Sequence, residues 1–224
     1  MQKVGDFWLP DVDLRVWSRF GKTRRKMIRR FQAGGPKLED LVEALQYVPS
    51  GALAVDGGAN VGAYTRMLAQ HFGIVHAFEP AIDTFEALSR NIHDWGIADR
   101  VVLHNKALSD ACEQVGLTKR RAQRSSSRRI DGPGDLPAVT IDSLQLEALD
   151  FLKLDVEGHE YRALLGGREA LLRYKPAVLF EDKPGKLREV DAVENPHELL
   201  KLLGAKRVAC IGPHKFDWLY RFEI

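Results

Sequence analysis

Short, largely apolar runs alternate with helical segments between residues 52 and 180, and this alternation restricts the fold more than any other feature of the chain. The apolar runs are Ala52–Val55, Ile74–Phe78, Val101–Leu103, Phe151–Leu154 and Ala177–Phe180, and the segments with helical spacing are Val61–Phe72, Thr84–Trp95 and Tyr161–Tyr174. Apolar strands of this kind are buried on both faces, and helices must cover both faces of their sheet. The order therefore predicts an α/β fold with a doubly wound, mostly parallel sheet.

The C-terminal part of the chain follows a different pattern. After a short helix at Glu198–Leu203, the runs Arg207–Ile211 and Asp217–Phe222 are separated by only a few residues. Closely spaced strands pair antiparallel, so we expect a hairpin to finish the sheet. The stretch 108–139 fits the alternation least well, and we interpret it as a hairpin and a basic loop inserted between the third and fourth parallel strands.

The 224 residues are enough for one domain with a substantial core. We expect this domain to span 51–224 and a helical extension to precede it over 1–50. The extension contains a basic helix, with six Lys or Arg between positions 22 and 30, and an amphipathic helix from Pro36 to about Val48. These helices would either cap the active site or mediate a homodimer.

Cysteine usage and hydropathy indicate the compartment. Cys112 and Cys210 are far apart and have neither the spacing of a zinc site nor that of a disulfide framework. The first ten residues lack the apolar centre of a signal peptide. No run approaches the roughly 18 apolar residues that a membrane span requires. The sequence therefore predicts a cytoplasmic protein without a membrane span.

The run Val55-Asp56-Gly57-Gly58-Ala59-Asn60-Val61-Gly62 lies where the first apolar run meets the first helix. Gly58 allows the backbone to approach a ligand closely, and Asn60 tolerates a positive φ. Gly62 permits close packing of the helix start on the sheet, and the helix N-terminus offers unpaired N–H groups. The run therefore predicts a cofactor-binding turn, and Tyr64 in the first turn of the helix is assigned to the same site.

The spacing of the glycines distinguishes between cofactors. Gly58 and Gly62 form a G-x-x-x-G pattern, whereas a pyrophosphate site requires G-x-G-x-x-G. We expect Asp56 to accept a hydrogen bond from the ammonium group of a methionine moiety, directly or through water. Glu79, followed by Pro80, ends the second strand at the spacing where an acid accepts hydrogen bonds from both ribose hydroxyls.

The end of the third strand contributes to the same site. Asn105 and Ala107 follow Val101–Leu103 and would border the adenine ring. A glycine-rich turn alone can serve packing, but an acid at the end of the next strand points to a nucleoside. Together these residues predict a site for S-adenosylmethionine (SAM).

Two parts of the chain resemble the FkbM family of methyltransferases. Val55–Pro80 resembles the cofactor half of that family, and Ile141–Leu144 followed by Asp150–Glu160 (DFLKLDVEGHE) is similar to its most distinctive signature. Leu179–Glu181 matches a family position, and Ser125–Ser127 are similar to a serine-containing turn in the family's insertion. The resemblance covers about 52–185. It implies a Rossmann-like class I methyltransferase fold and SAM-dependent methyl transfer, usually to a hydroxyl oxygen of a natural product, sugar or glycan.

Candidate catalytic residues follow the fourth and fifth strands. The expected strand order places the fourth strand beside the first and the fifth beside the fourth, so their C-terminal ends share one crevice. His159 is the first candidate for the general base because its unperturbed pKa is near neutrality. The alternative is a histidine at a helix start that bonds only to the backbone. Asp155 is a second candidate base or a ligand of the methionine ammonium, and Glu181 is the third catalytic candidate.

A metal ion is an alternative way to activate a hydroxyl. Asp155, Glu181 and Asp182 would converge as hard oxygen ligands for Mg²⁺, which lowers the pKa of a coordinated hydroxyl. The simpler interpretation is that Glu181 accepts hydrogen bonds from the backbone or the substrate.

Two basic segments, 22–30 and 119–129, each carry six Lys or Arg. They would form solvated surface, a lid over the substrate, or a site for a nucleic acid or a phosphorylated substrate. The second segment lacks aromatic residues, which disfavours base stacking, and the chain lacks the sequence motifs of DNA base methylation. A small-molecule or glycan acceptor is therefore the leading hypothesis. A dehydrogenase is disfavoured by the missing third glycine, and a SAM-binding module without catalysis stays open.

Overall fold

The computed structural model describes residues 1–11, 13, 21–33, 35, 38–118, 128–182, 194–212 and 216–223. The N-terminal elements are β1 (Gln2–Val4), β2 (Phe7–Leu9), α1 (Gly21–Gln32) and α2 (Glu39–Leu45). They are followed by β3 (Gly51–Gly57), α3 (Ala63–His71), β4 (Phe72–Phe78), α4 (Ile82–Asp94), β5 (Val101–His104), β6 (Ala107–Leu108), β7 (Glu113–Val115) and β8 (Leu136–Val139). A 3₁₀ turn (Asp142–Leu144) leads to β9 (Phe151–Leu154), α5 (Glu160–Leu165), α6 (Arg168–Tyr174), β10 (Ala177–Glu181), α7 (Pro196–Leu202), β11 (Ala205–Ile211) and β12 (Asp217–Phe222).

A seven-stranded sheet with the order β11-β12-β10-β9-β3-β4-β5 organises the described residues. The pairs from β10 through β9, β3 and β4 to β5 are parallel, whereas β12 pairs antiparallel with both β10 and β11. The predicted doubly wound sheet with a C-terminal antiparallel hairpin is therefore confirmed. As expected, β9 lies beside β3 and β10 lies beside β9, so the C-terminal ends of these strands share one edge of the sheet.

Alternate residues of the central strands feed two cores, one on each face of the sheet. Ala54 of β3 packs on one face with residues of α2, α3 and α4, and Val55 packs on the other with residues of α5, α6 and α7. The residues of both cores are apolar, which explains why the central strands have almost no polar positions. Helices thus cover both faces of the sheet, as the predicted fold class requires.

The insertion after β5 forms a small sheet of its own. β8 pairs parallel with β6 and antiparallel with β7, which includes the predicted hairpin. The basic positions 119–127 and the serine turn within them lie outside the described residues. The predicted single helix at Tyr161–Tyr174 is wrong, because it is divided into α5 and α6 at Gly166-Gly167. A Cβ on Gly166 would lie 2.0 Å from the carbonyl oxygen of Ser109, so the insertion approaches the helix closely there.

The N-terminal hairpin of β1 and β2 was not predicted, because strands of three residues are too short to show a periodic pattern. Phe7 and Leu9 are buried and pack with Phe31 of α1 against the start of α3. The extension therefore docks on the main domain. None of the helices in the described ranges combines the length and apolar character needed to cross a bilayer.

Candidate functional site

A cavity of about 440 Å³ opens where the C-terminal ends of β3, β4 and β9 meet. This volume lies within the ~300–1,000 Å³ typical of small-ligand sites, and the position is where open α/β sheets bind ligands. The N-terminal extension, the turn after β3, the ends of β4 and β5, and the turn after β9 each form part of the wall. Many predicted site residues line it: Gly58, Asn60, Tyr64, Glu79, Pro80, Ala107, Asp155 and Glu181.

The turn after β3 has the backbone that its sequence predicts. Asn60 has a φ of 52°, and its Oδ1 accepts a hydrogen bond from the N–H of Val61 at 2.8 Å. Gly58 has a φ of 78°, and a Cβ there would lie 2.0 Å from the carbonyl oxygen of Asp155. Gly58 thus allows the turns after β3 and β9 to meet. A Cβ on Gly62 would lie 2.7 Å from Leu88, so this glycine fits the helix start against α4 rather than against the sheet.

Glu79 lies at the end of β4 with its carboxylate in the wall of the cavity. Its oxygens accept hydrogen bonds from the N–H groups of Asn60, at 3.0 Å, and Ala81, at 2.9 Å. Burial raises the pKa of Glu79 to about 7, although these hydrogen bonds oppose the shift. Each carboxylate oxygen has a second lone pair, so these contacts orient the group and leave it able to accept from a ligand.

Asn105 supports this carboxylate from behind. Its Nδ2 donates to the carbonyl oxygens of Glu79, at 2.9 Å, and Pro80, at 3.0 Å. Asn105 is not among the cavity-lining residues, whereas Pro80 and Ala107 are. Asn105 therefore holds the Glu79-Pro80 turn in place instead of bordering the cavity.

Asp56 is completely buried and does not line the cavity. Its Oδ2 accepts a hydrogen bond from Thr65 Oγ1 at 2.7 Å, and its Oδ1 lies 3.2 Å from Lys153 Nζ. Both oxygens thus face protein groups. The expected direct contact with a methionine ammonium is not provided by this geometry, because the side chain points behind the turn rather than into the cavity.

Lys153 is the main residue that the sequence interpretation missed. It is buried in β9, lines the cavity, and donates to the carbonyl oxygens of Gly57, at 3.4 Å, and Gly58, at 3.3 Å. Burial lowers the pKa of Lys153, but the carboxylates of Asp56 and Asp155 outweigh that effect and raise it. A lysine inside an apolar strand, two residues before Asp155 and therefore on the same face, was the available signal.

Tyr64 covers the lysine. The Nζ of Lys153 lies 4.8 Å from the centre of the Tyr64 ring, and the Tyr64 hydroxyl donates to Asp40 of α2. Burial and the adjacent carboxylate of Asp40 raise the pKa of Tyr64 far above its ordinary value. Tyr64 therefore stays neutral, presents its ring to the cavity and links it to the N-terminal extension.

Three carboxylates of the cavity wall lie close together. Oxygen atoms of Asp155, Glu157 and Glu181 lie within 4.8 Å of one another. The Oδ1 of Asp155 is buried and accepts no hydrogen bond in the described structure. Glu157 has a φ of 59° and precedes Gly158 with a φ of 100°, a left-handed pair that turns the chain directly after β9. Left-handed conformations of non-glycine residues are costly and concentrate at functional sites.

Asp182 does not join these carboxylates, which corrects the predicted set of metal ligands. Its Oδ2 lies 3.0 Å from His197 Nε2, and the Nδ1 of that ring lies 2.9 Å from the Tyr220 hydroxyl. Successive strand residues point to opposite faces, so Glu181 and Asp182 cannot face the same cavity. Glu157 occupies the position that the sequence interpretation gave to Asp182.

His159 also lies away from the cavity. Its Nε2 is 3.0 Å from Ser109 Oγ in the insertion, and it is not among the lining residues. Burial lowers the pKa of His159 to about 4, so the ring is neutral near pH 7. The structure thus places His159 as a contact between the turn after β9 and the insertion, not beside Asp155 and Glu181.

Parts of both basic segments reach the cavity. Arg128 lines the wall and forms a two-bond ion pair with Asp83 at the start of α4. Arg30 of α1 also lines the wall. The contacts show that the extension and the insertion both border the site.

Comparison with known proteins agrees with this geometry. The sequence model of the family described as the methyltransferase FkbM domain matches residues 56–210. An FkbM methyltransferase from Methylobacillus flagellatus KT has a similar structure, with a TM-score of 0.53 and 21% identity over 78% of this chain and 44% of that one. The present chain therefore spans less than half of that protein. No curated protein matches the chain.

Two further structures are similar. A SAM-dependent O-methyltransferase from Thermotoga maritima has a TM-score of 0.51 and 16% identity, over 85% of this chain and 66% of that one. A proposed methyltransferase from Streptococcus mutans, solved with S-adenosylhomocysteine, has a TM-score of 0.53 and 14% identity, over 83% of this chain and 96% of that one. At these identities the likeness shows the fold, which is that of class I methyltransferases.

Proposed function

The chain belongs to the FkbM methyltransferase family, and from this premise we propose that it transfers the methyl group of SAM to a hydroxyl oxygen of a small molecule, sugar or glycan. The observation that carries the proposal is the orphaned Oδ1 of Asp155, which is buried in a cavity beside the glycine-rich turn. SAM carries an ammonium and a sulfonium, and a buried carboxylate oxygen without a partner is suited to a cationic ligand.

Residues of the cavity wall are assigned to the remaining parts of SAM. Glu79, already oriented by two backbone N–H groups, accepts hydrogen bonds from the ribose hydroxyls. Pro80 and Ala107 offer small apolar surfaces on either side of the adenine ring. Asp155 takes the ammonium that Asp56 was expected to bind. This arrangement directs the donor methyl towards the ends of β9 and β10.

SAM supplies an activated methyl group, so the residues of the chain need only align the acceptor and remove its proton. Glu181 ends β10 and faces the cavity beside Asp155 and Glu157. We assign Glu181 as the group that receives the hydroxyl proton, and Glu157 as a second carboxylate that orients the acceptor. Carboxylates of this kind also hydrogen-bond neighbouring hydroxyls, which suits a polyol or sugar.

Magnesium is a second way to use the same carboxylates. Oxygen atoms of Asp155, Glu157 and Glu181 lie within 4.8 Å of one another and are hard ligands of the kind that Mg²⁺ binds. Lys153, however, acts electrostatically on both Asp155 and Glu181 and already places a positive charge there. The ammonium of SAM, which we assign to Asp155, would compete with a metal ion for the same carboxylate oxygen, so we favour transfer without a metal.

The first experiment is a calorimetric titration of the protein with SAM, together with Asp155→Asn and the control Asp99→Asn. Asp99 is exposed and lies outside the cavity wall. We expect the first substitution to weaken binding by roughly tenfold or more, since a hydrogen bond to a charged group contributes ~1.5–3 kcal/mol. The control should bind like the unchanged protein.

Labelled SAM with a panel of sugars, polyols, phosphorylated sugars and RNA then identifies the acceptor class. Label in a hydroxyl-bearing acceptor supports the proposal. Absence of SAM binding, or transfer only to a nucleic acid, would overturn it.

A further inference from the structure

The N-terminal extension lies outside the matched domain, yet it forms one wall of the cavity. Met27, Arg30 and Phe31 of α1 line the same space as the turn after β3. Phe31 is buried and packs against Val61 and Ala63, where that turn leads into α3. The wall formed by α1 therefore stands beside the N-terminus of α3.

One buried amide joins the glycine-rich turn to β2, on which α1 packs through the ring contact of Phe31 with Phe7. Asn91 of α4 is completely buried; its Oδ1 accepts from the N–H of Trp8 at 2.6 Å, and its Nδ2 donates to the Trp8 carbonyl at 3.0 Å. The same Nδ2 also donates to the carbonyl oxygen of Val61 at 2.8 Å. Because one side chain holds both β2 and the glycine-rich turn, the extension and the donor site are positioned together.

The charges of the wall distinguish Arg30 from the other cations that line it. Arg128 is paired with Asp83, and Lys153 is paired with Asp56. Lys106 also makes no ion pair in the described residues, but it lines the wall next to Ala107, at the end of the site that we assign to the adenine. Within the described part of the chain, Arg30 makes no ion pair.

We propose that Arg30 binds the carboxylate of the donor's amino-acid moiety, so that a residue outside the family domain helps to recognise SAM. The inference rests on the proposed function. The carboxylate is the one anionic group of SAM, and an arginine binds it through parallel N–H donors. The N-terminus of α3 adds to this site, because its N-cap is Gly62, which has no side chain to cap the first N–H groups.

The test measures binding of three ligands that share the adenosine part. SAM and S-adenosylhomocysteine carry the carboxylate, and 5′-methylthioadenosine lacks it. Each is titrated into the full chain and into Arg30→Gln, Arg30→Lys and Arg29→Gln. Arg29 is the matched control because Arg29 and Arg30 are both exposed on α1, but only Arg30 lines the cavity.

We expect Arg30→Gln to weaken SAM and S-adenosylhomocysteine about tenfold, to leave 5′-methylthioadenosine unchanged, and Arg30→Lys to restore part of the loss. Arg29→Gln should match the unchanged protein. Equal weakening of all three ligands would indicate a structural role and overturn the inference, and so would an unchanged affinity for S-adenosylhomocysteine. If the unchanged protein binds none of the three, the proposed function itself fails.

Discussion

Lys153 of β9 and Asp56 of β3 occupy directly paired positions of the parallel sheet, and their Nζ and Oδ1 atoms lie 3.2 Å apart. Both side chains are buried. The pair therefore joins the strand that precedes the donor turn to the strand that precedes the carboxylates. Asp56 is fully buried and Lys153 is almost so, and each charge therefore depends on the other for compensation.

Replacing Lys153 by Met should strongly destabilise the protein, because Asp56 would keep a buried charge without its partner. Loss of one member of a buried pair costs about 3–5 kcal/mol. The double substitution Asp56→Asn with Lys153→Met removes both charges and should recover part of that loss. Urea denaturation measures the free energy of unfolding. Equal values for the single and double variants would contradict this account of the pair.

SAM affinity should rise between about pH 6 and pH 7.5 through the ionisation of Glu79. Burial raises the pKa of Glu79 to about 7, so part of the population is protonated below that value. The ribose hydroxyls donate to the ionised form, and binding therefore releases a proton and strengthens by at most about tenfold per pH unit. Calorimetry across this range checks the slope. Glu79→Gln should bind more weakly and lose the pH dependence; a slope that persists would assign it to another group.

Replacing His159 by Gln should reduce kcat by less than about tenfold, because the glutamine amide can still reach Ser109. Removal of a general base costs about 10²–10⁴-fold, which is the result that a catalytic role for His159 requires. The pH–rate profile is the second measurement. An unchanged profile supports a positioning role, and a lost ionisation would restore His159 as the base.

Glu181→Gln should lower kcat by about 10²–10⁴-fold while SAM binding stays within a few-fold of the unchanged protein. Glutamine keeps the shape of the side chain but cannot accept the proton. Single-turnover transfer from labelled SAM separates this effect from product release. Glu157→Gln is the comparison, and we expect it to raise the KM for the acceptor more than it lowers kcat. The reverse pattern would exchange the two roles.

Treatment with EDTA followed by dialysis should leave the transfer rate unchanged, because Lys153 and the ammonium of bound SAM would offset the negative charge of Asp155 and Glu181 without a metal ion. Rates are measured before treatment, after it, and after addition of Mg²⁺. A loss that Mg²⁺ restores would establish the metal and contradict this prediction. Addition of Ca²⁺ provides the control for unspecific charge screening.

The sequence predicted the sheet well because its strands are apolar on both faces, and burial leaves a strong pattern. It also predicted that Gly58, Asn60 and Glu79 would lie at one site, because each follows or ends a strand of the same sheet. The position of a residue relative to a strand end is set by the sequence itself and is kept in the folded structure. The strand order was expected from the fold class rather than from such local signals, and it is confirmed by the pairing of β9 with β3.

Side chains whose partners come from distant parts of the chain were harder to predict. Asp56, Asp182 and His159 were assigned to the cavity because each lies near a strand end, yet their partners Lys153, His197 and Ser109 come from other segments. The hairpin formed by β1 and β2 gave no periodic signal. A shift of one residue in register turns a side chain at a strand end to the other face of the sheet. Neither composition nor motif spacing determines that register.

The pairing of β3 with β9 also has a consequence for biosynthesis. Lys153 and the carbonyl oxygen of Gly57 hydrogen-bond in the folded protein although 96 positions separate them in the chain. While the ribosome is still making the insertion, the glycine-rich turn can form beside β4 but lacks the strand that completes it. Non-local pairing of this kind is slow and exposes apolar edges until the partner emerges. We therefore expect the nascent first half to need protection from aggregation, and to acquire affinity for the donor only after β9 has left the exit tunnel.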